Sequence, residues 1–101
     1  MANWLPAAEQ DAAEIVDYYD GQRPGLGALF FAAVYRTVTD VDTMPRAAAV
    51  AIQPDTRRVV VGNGFGGYGV YYRETAGAVL VVAILHLRRD PNWIRHLVRQ
   101  R

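Results

Sequence analysis

The sequence predicts an α+β fold, in which an N-terminal helical hairpin packs on a small, mainly antiparallel sheet and a short helix follows. Apolar residues recur every three or four positions through residues 6–41, which is the period of a helix. Residues 47–86 instead hold short β-branched and aromatic runs separated by turn residues, a pattern typical of strands. With 101 residues, 51% of them hydrophobic, the chain can bury one core, so we expect residues 1–101 to form a single domain.

Two helices are expected to make the hairpin. A short extended stretch at residues 3–5 precedes a helix over residues 6–19, in which Pro6 suits the first helical position. We expect Gly21 to end this helix in the left-handed conformation. The second helix carries an apolar stripe from Leu26 to Val41, and Met44 and Pro45 are expected to stop it.

Four strands and a final helix are expected in the second half, with strands at residues 47–52, 57–62, 68–73 and 78–86. The last strand is aliphatic without alternation, which predicts burial on both faces and a central position. The glycine-rich segment at residues 62–67 is followed by a strand instead of a helix, so it indicates a loop and not a dinucleotide site. Asp90 and Pro91 fit the N-cap and first position of the closing helix. The expected core includes Ile15, Phe30, Val34, Val82 and Ile84.

Charge divides the chain into two unlike halves. Residues 1–45 hold seven carboxylates and two arginines, a net charge of −5, whereas residues 46–101 hold nine arginines and three carboxylates, a net charge of +6. Either the basic half meets an anionic partner or the two halves screen each other in the fold. All the cations are arginines, so ion recognition would use planar guanidinium groups.

Several kinds of chemistry are excluded by composition, because the chain contains no cysteine, serine or lysine. Disulfides, thiolate metal sites, serine triads and lysine Schiff bases are therefore excluded. The two histidines have no clustered third ligand, so we expect no metal and no cofactor. The carboxylates of Glu9, Glu14 and Asp17 share one outer helix face, where solvation accounts for them without a cleft.

Two segments could contact a partner. Tyr68, Tyr71 and Tyr72 line one strand beside Arg73, and such aromatics either stack on nucleic-acid bases or pack in the core. Residues 85–93 join a histidine, two arginines and an expected helix start to an apolar anchor, Trp93. This second segment indicates contact with an anion or with another protein.

The order of these motifs resembles the RelE/ParE superfamily of toxins from bacterial type II toxin-antitoxin systems. The resemblance covers nearly the whole chain, and residues 81–93 are its most specific part. The matching positions are Pro6 to Asp11 with Glu14, Ile15, Tyr18 and Tyr19; Pro24 to Gly27 with Phe30; Met44 and Pro45; Arg57 and Arg58; Tyr68 with Val70 to Arg73; and Val81 to His86 with Arg88 to Pro91 and Trp93.

The resemblance implies one of two toxin activities. RelE-like toxins cleave mRNA on the ribosome, whereas ParE-like toxins inhibit DNA gyrase without a known hydrolytic site. The absent lysines, the net charge of only +1 and the segment ending in His86 favour the ParE-like alternative. A non-toxic homologue that only binds protein is the third alternative. Enzymatic activity is therefore left open, with no bond cleavage as the favoured expectation.

The implied partners and site residues follow from the resemblance. A cognate antitoxin is expected, by strand addition or helix docking, with the basic half of the toxin complementing an acidic antitoxin. Gyrase is the expected target, with the ribosome and mRNA as the alternative, and no membrane contact is expected. A role in plasmid stabilisation and a cytoplasmic location are implied, and no signal peptide or 18-residue apolar run is visible. Arg88, Arg89 and Trp93 are the expected target contacts.

If the chain were instead a ribonuclease, His86, Arg73, Arg88 and Tyr72 would be the candidate catalytic set. Arginine stabilises charge but is a poor proton acceptor at neutral pH. His86 would then be the group that transfers protons, and its expected place at the end of a buried strand argues against access. We therefore expect gyrase inhibition.

Overall fold

The computed structural model describes residues 2–101 and confirms the α+β fold. A two-residue strand, a helical hairpin, four further strands and a terminal helix follow one another along the chain. Among the described residues, no helix is both long and apolar enough to cross a membrane. The elements are β1 (Asn3–Trp4), α1 (Pro6–Gln22), α2 (Leu26–Thr43), β2 (Val50–Ile52), β3 (Thr56–Val60), β4 (Tyr68–Thr75), β5 (Ala78–His86) and α3 (Pro91–Gln100).

The five strands form one sheet in the order β1-β5-β4-β3-β2. β1 runs parallel to β5, and every other neighbouring pair is antiparallel. β5 lies between two strands and is buried on both faces as expected, although β4 is the middle strand of the sheet. Tyr72 pairs with Val81 and Tyr71 with Ala83, so Val82 is an extra residue on β5. This bulge shifts the alternation of β5, which is one reason why its sequence shows no period of two.

Two cores cover the two faces of the sheet. The hairpin packs Phe30 and Val34 against Tyr72, Val81 and Ile84 on one face. On the other face, α3 contributes Ile94 and Val98 to a cluster with Tyr71, Val82 and Leu85. The expected burial of Phe30, Val34, Val82 and Ile84 is confirmed. Ile15 is only half-buried, because it lies where α1 borders an open cleft.

The turn between the two helices differs from the expectation. α1 continues through Gly21 to Gln22, and the left-handed residue is Gly25, with φ of 91°. Gly27 lies inside α2, where its backbone N–H donates to the carboxylate of Asp20 over 2.9 Å. The side chain of Asp20 therefore satisfies a free N–H at the start of α2. α1 itself ends at its C-cap Arg23, which is extended and whose N–H bonds to the carbonyl of Tyr19.

The ends of α2 and α3 follow the sequence signals. α2 stops at Thr43, and the N–H of Met44 bonds back to the carbonyl of Asp40. At the start of α3, the Asp90 carboxylate accepts from the N–H of Asn92 at 2.9 Å, with Pro91 in the first turn. These contacts fix the direction in which α3 leaves the sheet, and with it the position of Trp93.

Candidate functional site

A cleft of about 730 Å³ opens between α1 and α3. Its floor is the final part of β5, and its walls combine aromatic rings with charged groups. It contains His86, Arg89 and Trp93 from the segment predicted at residues 85–93, and it also contains Tyr68 and Glu14. The residues that line it are Asp11, Glu14, Ile15, Tyr18, Tyr19, Tyr68, Ile84, Leu85, His86, Arg89, Trp93, Leu97 and Arg101.

Arg89 and Trp93 form a stacked pair on the α3 side of the cleft. The guanidinium carbon of Arg89 lies 4.8 Å from the centre of the Trp93 ring, a cation–π contact. Trp93 is 40% exposed although it is large and apolar. Exposed tryptophan and arginine are enriched among the residues that dominate protein–protein binding. The pair therefore has the properties of a binding anchor.

His86 ends β5 and borders the cleft, half-buried instead of inaccessible. Its Nδ1 accepts a hydrogen bond from the backbone N–H of Arg88 at 3.1 Å, so the neutral ring carries its proton on Nε2. A Cβ added at Gly67 would lie 3.4 Å from Nε2, so the loop passes close to that nitrogen. The free lone pair of the neutral imidazole is thus already engaged, which does not suit a general base.

An aromatic cluster forms the wall behind His86. The ring of Tyr68 meets that of His86 edge-on with centroids 4.9 Å apart, and Tyr19, Phe30 and Phe65 complete the cluster. Burial, with a smaller contribution from a side-chain hydrogen bond with Tyr19, raises the pKa of Tyr68 from 10.0 to about 12. The Tyr68 hydroxyl is therefore protonated at neutral pH, where it can donate a hydrogen bond but does not act as a base.

Asp11 and Arg101 form an ion pair in the cleft, with side chains only 13% and 16% exposed. Asp11 also accepts from the backbone N–H of Ile84, and Arg101 donates to the carbonyl of Val82. Sequence reasoning missed this pair. The two residues lie at opposite ends of the chain, so no local sequence pattern links them.

Tyr72 and Arg73 are not brought to the cleft. Tyr72 is fully buried under the hairpin, and its hydroxyl donates to the carbonyl of Pro45 at 2.7 Å. Burial raises the pKa of Tyr72, with the nearby Arg57 opposing that effect. Arg73 donates to Thr56 and to the carbonyl of Val98, and so fastens the end of α3 to the sheet. Of the ribonuclease set predicted from sequence, His86 is the member that lines the cleft.

The other residues predicted from sequence are Arg88, the tyrosines of β4 and the carboxylates of α1. Arg88 is exposed on the turn after β5 and forms none of the ion pairs found among residues 2–101. Tyr71 and Tyr72 are both buried, which favours packing over base stacking for the aromatic strand. Glu14 lies on the rim of the cleft, so the expectation that no cleft adjoins the α1 carboxylates was wrong.

A second concavity lies on the outer side of the helical hairpin. This hairpin groove, of about 680 Å³, has a mainly apolar lining that includes Phe31 and Tyr35, 47% and 63% exposed. The carboxylates of Glu9, Asp17 and Asp20 lie on its rim. Within the described part of the chain, residues 2–101, no group of three histidine, cysteine or carboxylate side chains could hold a metal ion.

Comparison with known proteins gives a family and a fold. Residues 2–91 match the family described as the ParE toxin of type II toxin-antitoxin systems, parDE. A chain of the chromosomal ParDE system from P. aeruginosa superposes with a TM-score of 0.75 at 14% identity, covering 86% of this chain and 95% of that one. The isolated E. coli RelE toxin superposes with a TM-score of 0.63 at 15% identity, covering 100% and 98%. Among the curated proteins compared, none matches.

Proposed function

Because the chain belongs to the ParE family of toxins from type II toxin-antitoxin systems, we propose that it inhibits DNA gyrase and is neutralised by a cognate antitoxin. The observation that carries the proposal is the family match over residues 2–91. A ParE-like toxin acts by binding its target, so its site has to offer anchors and not a proton-transfer relay. The cytoplasm, where gyrase works on DNA, is the proposed location.

The chemistry at His86 supports binding instead of cleavage. Cutting RNA through its 2′-hydroxyl requires one group that takes a proton and one that gives it to the leaving oxygen. Nδ1 of His86 is occupied by the N–H of Arg88, and the high pKa of Tyr68 keeps that hydroxyl from acting as a base at neutral pH. Tyr72 is buried and Arg73 is engaged at the end of α3. These contacts leave the ribonuclease set predicted from sequence poorly arranged for this transesterification.

Contact with gyrase is proposed at Arg88, Arg89 and Trp93. Arg88 and Arg89 are exposed on the turn between β5 and α3, and Trp93 follows on the first turns of the helix. The capped start of α3 and the end of β5 hold this segment on rigid elements. A rigid aromatic anchor with an arginine stacked on it loses little conformational entropy on binding.

The antitoxin is proposed to occupy the hairpin groove. The groove has an apolar floor, exposed aromatic rings and three rim carboxylates, so it fits an amphipathic helix with basic residues along its flanks. The sequence instead led us to expect an acidic antitoxin that covers the basic half of the toxin, so the proposed partner segment has the opposite charge. Co-expression with the neighbouring small gene should yield a stable complex, and Phe31→Glu in the groove should prevent its co-purification.

A paired assay tests the proposed target. Purified toxin should block DNA supercoiling by gyrase in vitro while leaving mRNA in a translation extract uncut. His86→Ala should retain gyrase inhibition. Codon-spaced mRNA cuts that disappear in His86→Ala would make the protein a ribonuclease instead. A folded protein without effect in either assay would show a non-toxic homologue.

A further inference from the structure

The acidic hairpin and α3 cover opposite faces of the sheet. Arg58 of β3 pairs with Tyr71 and faces the α3 side, whereas Arg89 and Arg101 of the basic half lie in the cleft beside α1. The sequence left open whether the acidic and basic halves screen each other. The ion pair of Asp11 with Arg101 joins an α1 carboxylate to an arginine of the basic half, whereas Arg46 and Arg73 pair with carboxylates of their own half. The other arginines on the α3 side belong to none of these three pairs.

Three arginines on that side, Arg58, Arg95 and Arg99, form what we call the arginine face. Arg58 and Arg95 border one shallow depression of about 90 Å³ between the sheet and α3. Arg99 follows Arg95 by one helical turn and so lies on the same side of α3. None of the ion pairs within the described chain involves these residues. Arg95 donates to Asn92, which is a neutral amide and does not offset its charge.

The depression beneath these arginines is unsuited to a protein segment. Its apolar lining includes Ile52, Tyr71 and Ile94, and all three are buried and packed in the second core. Protein partners rely on exposed aromatic or aliphatic anchors, and such anchors lie elsewhere on this molecule, as with Trp93 on the cleft side of α3. Guanidinium groups alone suffice to bind phosphodiesters, because counterion release supplies the affinity.

We infer that the arginine face binds the phosphate backbone of duplex DNA, independently of base sequence. The inference rests on the proposed function in one respect, since gyrase is a target that holds DNA. A toxin anchored to gyrase through Arg89 and Trp93 would then reach the bound DNA with the other side of the same helix. The acidic hairpin would orient this side towards the polyanion.

Direct binding of a labelled random-sequence 20-base-pair DNA, without gyrase, tests the inference. Three arginine–phosphate contacts predict that the logarithm of the affinity falls with the logarithm of salt concentration with a slope of about −2.7. Affinity should therefore drop about 40-fold between 50 and 200 mM salt. Arg95→Gln combined with Arg99→Gln should bring the slope to about −0.9.

A charge-matched control comes from the acidic half. Arg23→Gln with Arg36→Gln removes two exposed arginines that belong to none of the ion pairs within residues 2–101, and it should leave the slope unchanged. Circular dichroism melts check that both double variants fold. The inference would be overturned if the two double variants lost DNA affinity equally, or if the parent chain did not bind DNA. It would also be overturned if the parent chain bound poly-glutamate or single-stranded RNA more tightly than duplex DNA. If the protein inhibits gyrase but does not bind DNA, the DNA-binding inference is wrong and the proposed function still stands.

Discussion

Asp11 and Arg101, ninety positions apart in the chain, form a two-pronged ion pair with N···O distances of 2.6 and 3.1 Å. The pair lies where β1 stops covering β5, since β1 pairs only with Leu80 and Val81. Beyond that point the N–H of Ile84 bonds to Asp11, and the carbonyl of the bulged Val82 bonds to Arg101. The two side chains therefore satisfy a strand edge that has no neighbouring strand.

Removing the Asp11 carboxylate should therefore destabilise the folded protein. Asp11→Ala leaves the Arg101 guanidinium and the Ile84 N–H without their partner in a largely buried site. We expect a loss of about 2 to 4 kcal/mol in the free energy of unfolding, seen as a drop in melting temperature of about 10 °C or more. Glu14→Ala, on the exposed rim, should change stability by less than about 0.5 kcal/mol.

A double-mutant cycle separates the pair from general effects at either residue. Arg101→Ala alone should also destabilise the fold, but the double variant should cost clearly less than the two single losses added together. Strict additivity would show that the two side chains stabilise the protein independently of each other.

Close packing of the helical hairpin gives a second expectation. A Cβ at Gly27 would lie 2.5 Å from the carbonyl oxygen of Val16, a backbone atom that cannot rotate away. Gly27→Ala should therefore force the helices apart and destabilise the protein by about 1 to 3 kcal/mol. Gly21→Ala is the matched control, because it lies within α1 with nothing near the added Cβ. It should be neutral or stabilising by up to about 1 kcal/mol. Equal effects of the two substitutions in urea unfolding would contradict this account.

Local patterns were enough to predict most of the fold. The helical stripes, the Asp90 cap and the stop at Met44 depend on residues close in sequence, and they were confirmed. The failures involve contacts between distant segments. Asp20 reaches across the hairpin turn to the N–H of Gly27, and Asp11 pairs with Arg101 from the other end of the chain.

The candidate site was predicted only in part for the same reason. Arg89, Trp93 and His86 are neighbours in sequence at a strand end and a helix start, so one motif identified them. Their partners in the cleft come from α1 and β4, and no spacing rule links those segments to residues 85–93. The burial of Tyr72 was one of two alternatives that the sequence left open, because an aromatic residue on a strand can stack on a ligand or pack in the core.

We expect Tyr72 to contribute to the stability of the fold and not to the activity of the toxin. Tyr72→Phe keeps the packed ring but leaves the carbonyl of Pro45 without its hydrogen bond, which should cost about 1 to 2 kcal/mol in stability. Growth inhibition by the folded variant should be unchanged at a temperature well below its melting point. Loss of toxicity with an unaltered melting temperature would restore Tyr72 as a candidate catalytic group.

The raised pKa of Tyr68 should make the stability of the protein depend on pH in alkaline solution. This pKa is raised to about 12 in the folded protein from 10.0, so the folded state holds this proton more tightly than the unfolded state. The resulting stabilisation is fully present below pH 10 and is lost as the pH rises from about 10 to 12. Unfolding in urea across this range should show a steeper loss of stability for the parent protein than for Tyr68→Phe. Parallel curves would exclude the raised pKa.

The stacked pair of Arg89 and Trp93 should matter for inhibition more than for folding. Trp93 is 40% exposed and Arg89 is exposed, so Arg89→Ala should leave the melting temperature within a few degrees of the parent. If the pair anchors gyrase, Trp93→Ala should weaken inhibition of supercoiling by about 30-fold, the effect expected for an interface residue worth about 2 kcal/mol. Arg36→Ala, an exposed arginine of α2, is the control and should inhibit like the parent. Full inhibition by Trp93→Ala and Arg89→Ala together would place the gyrase contact elsewhere on the molecule.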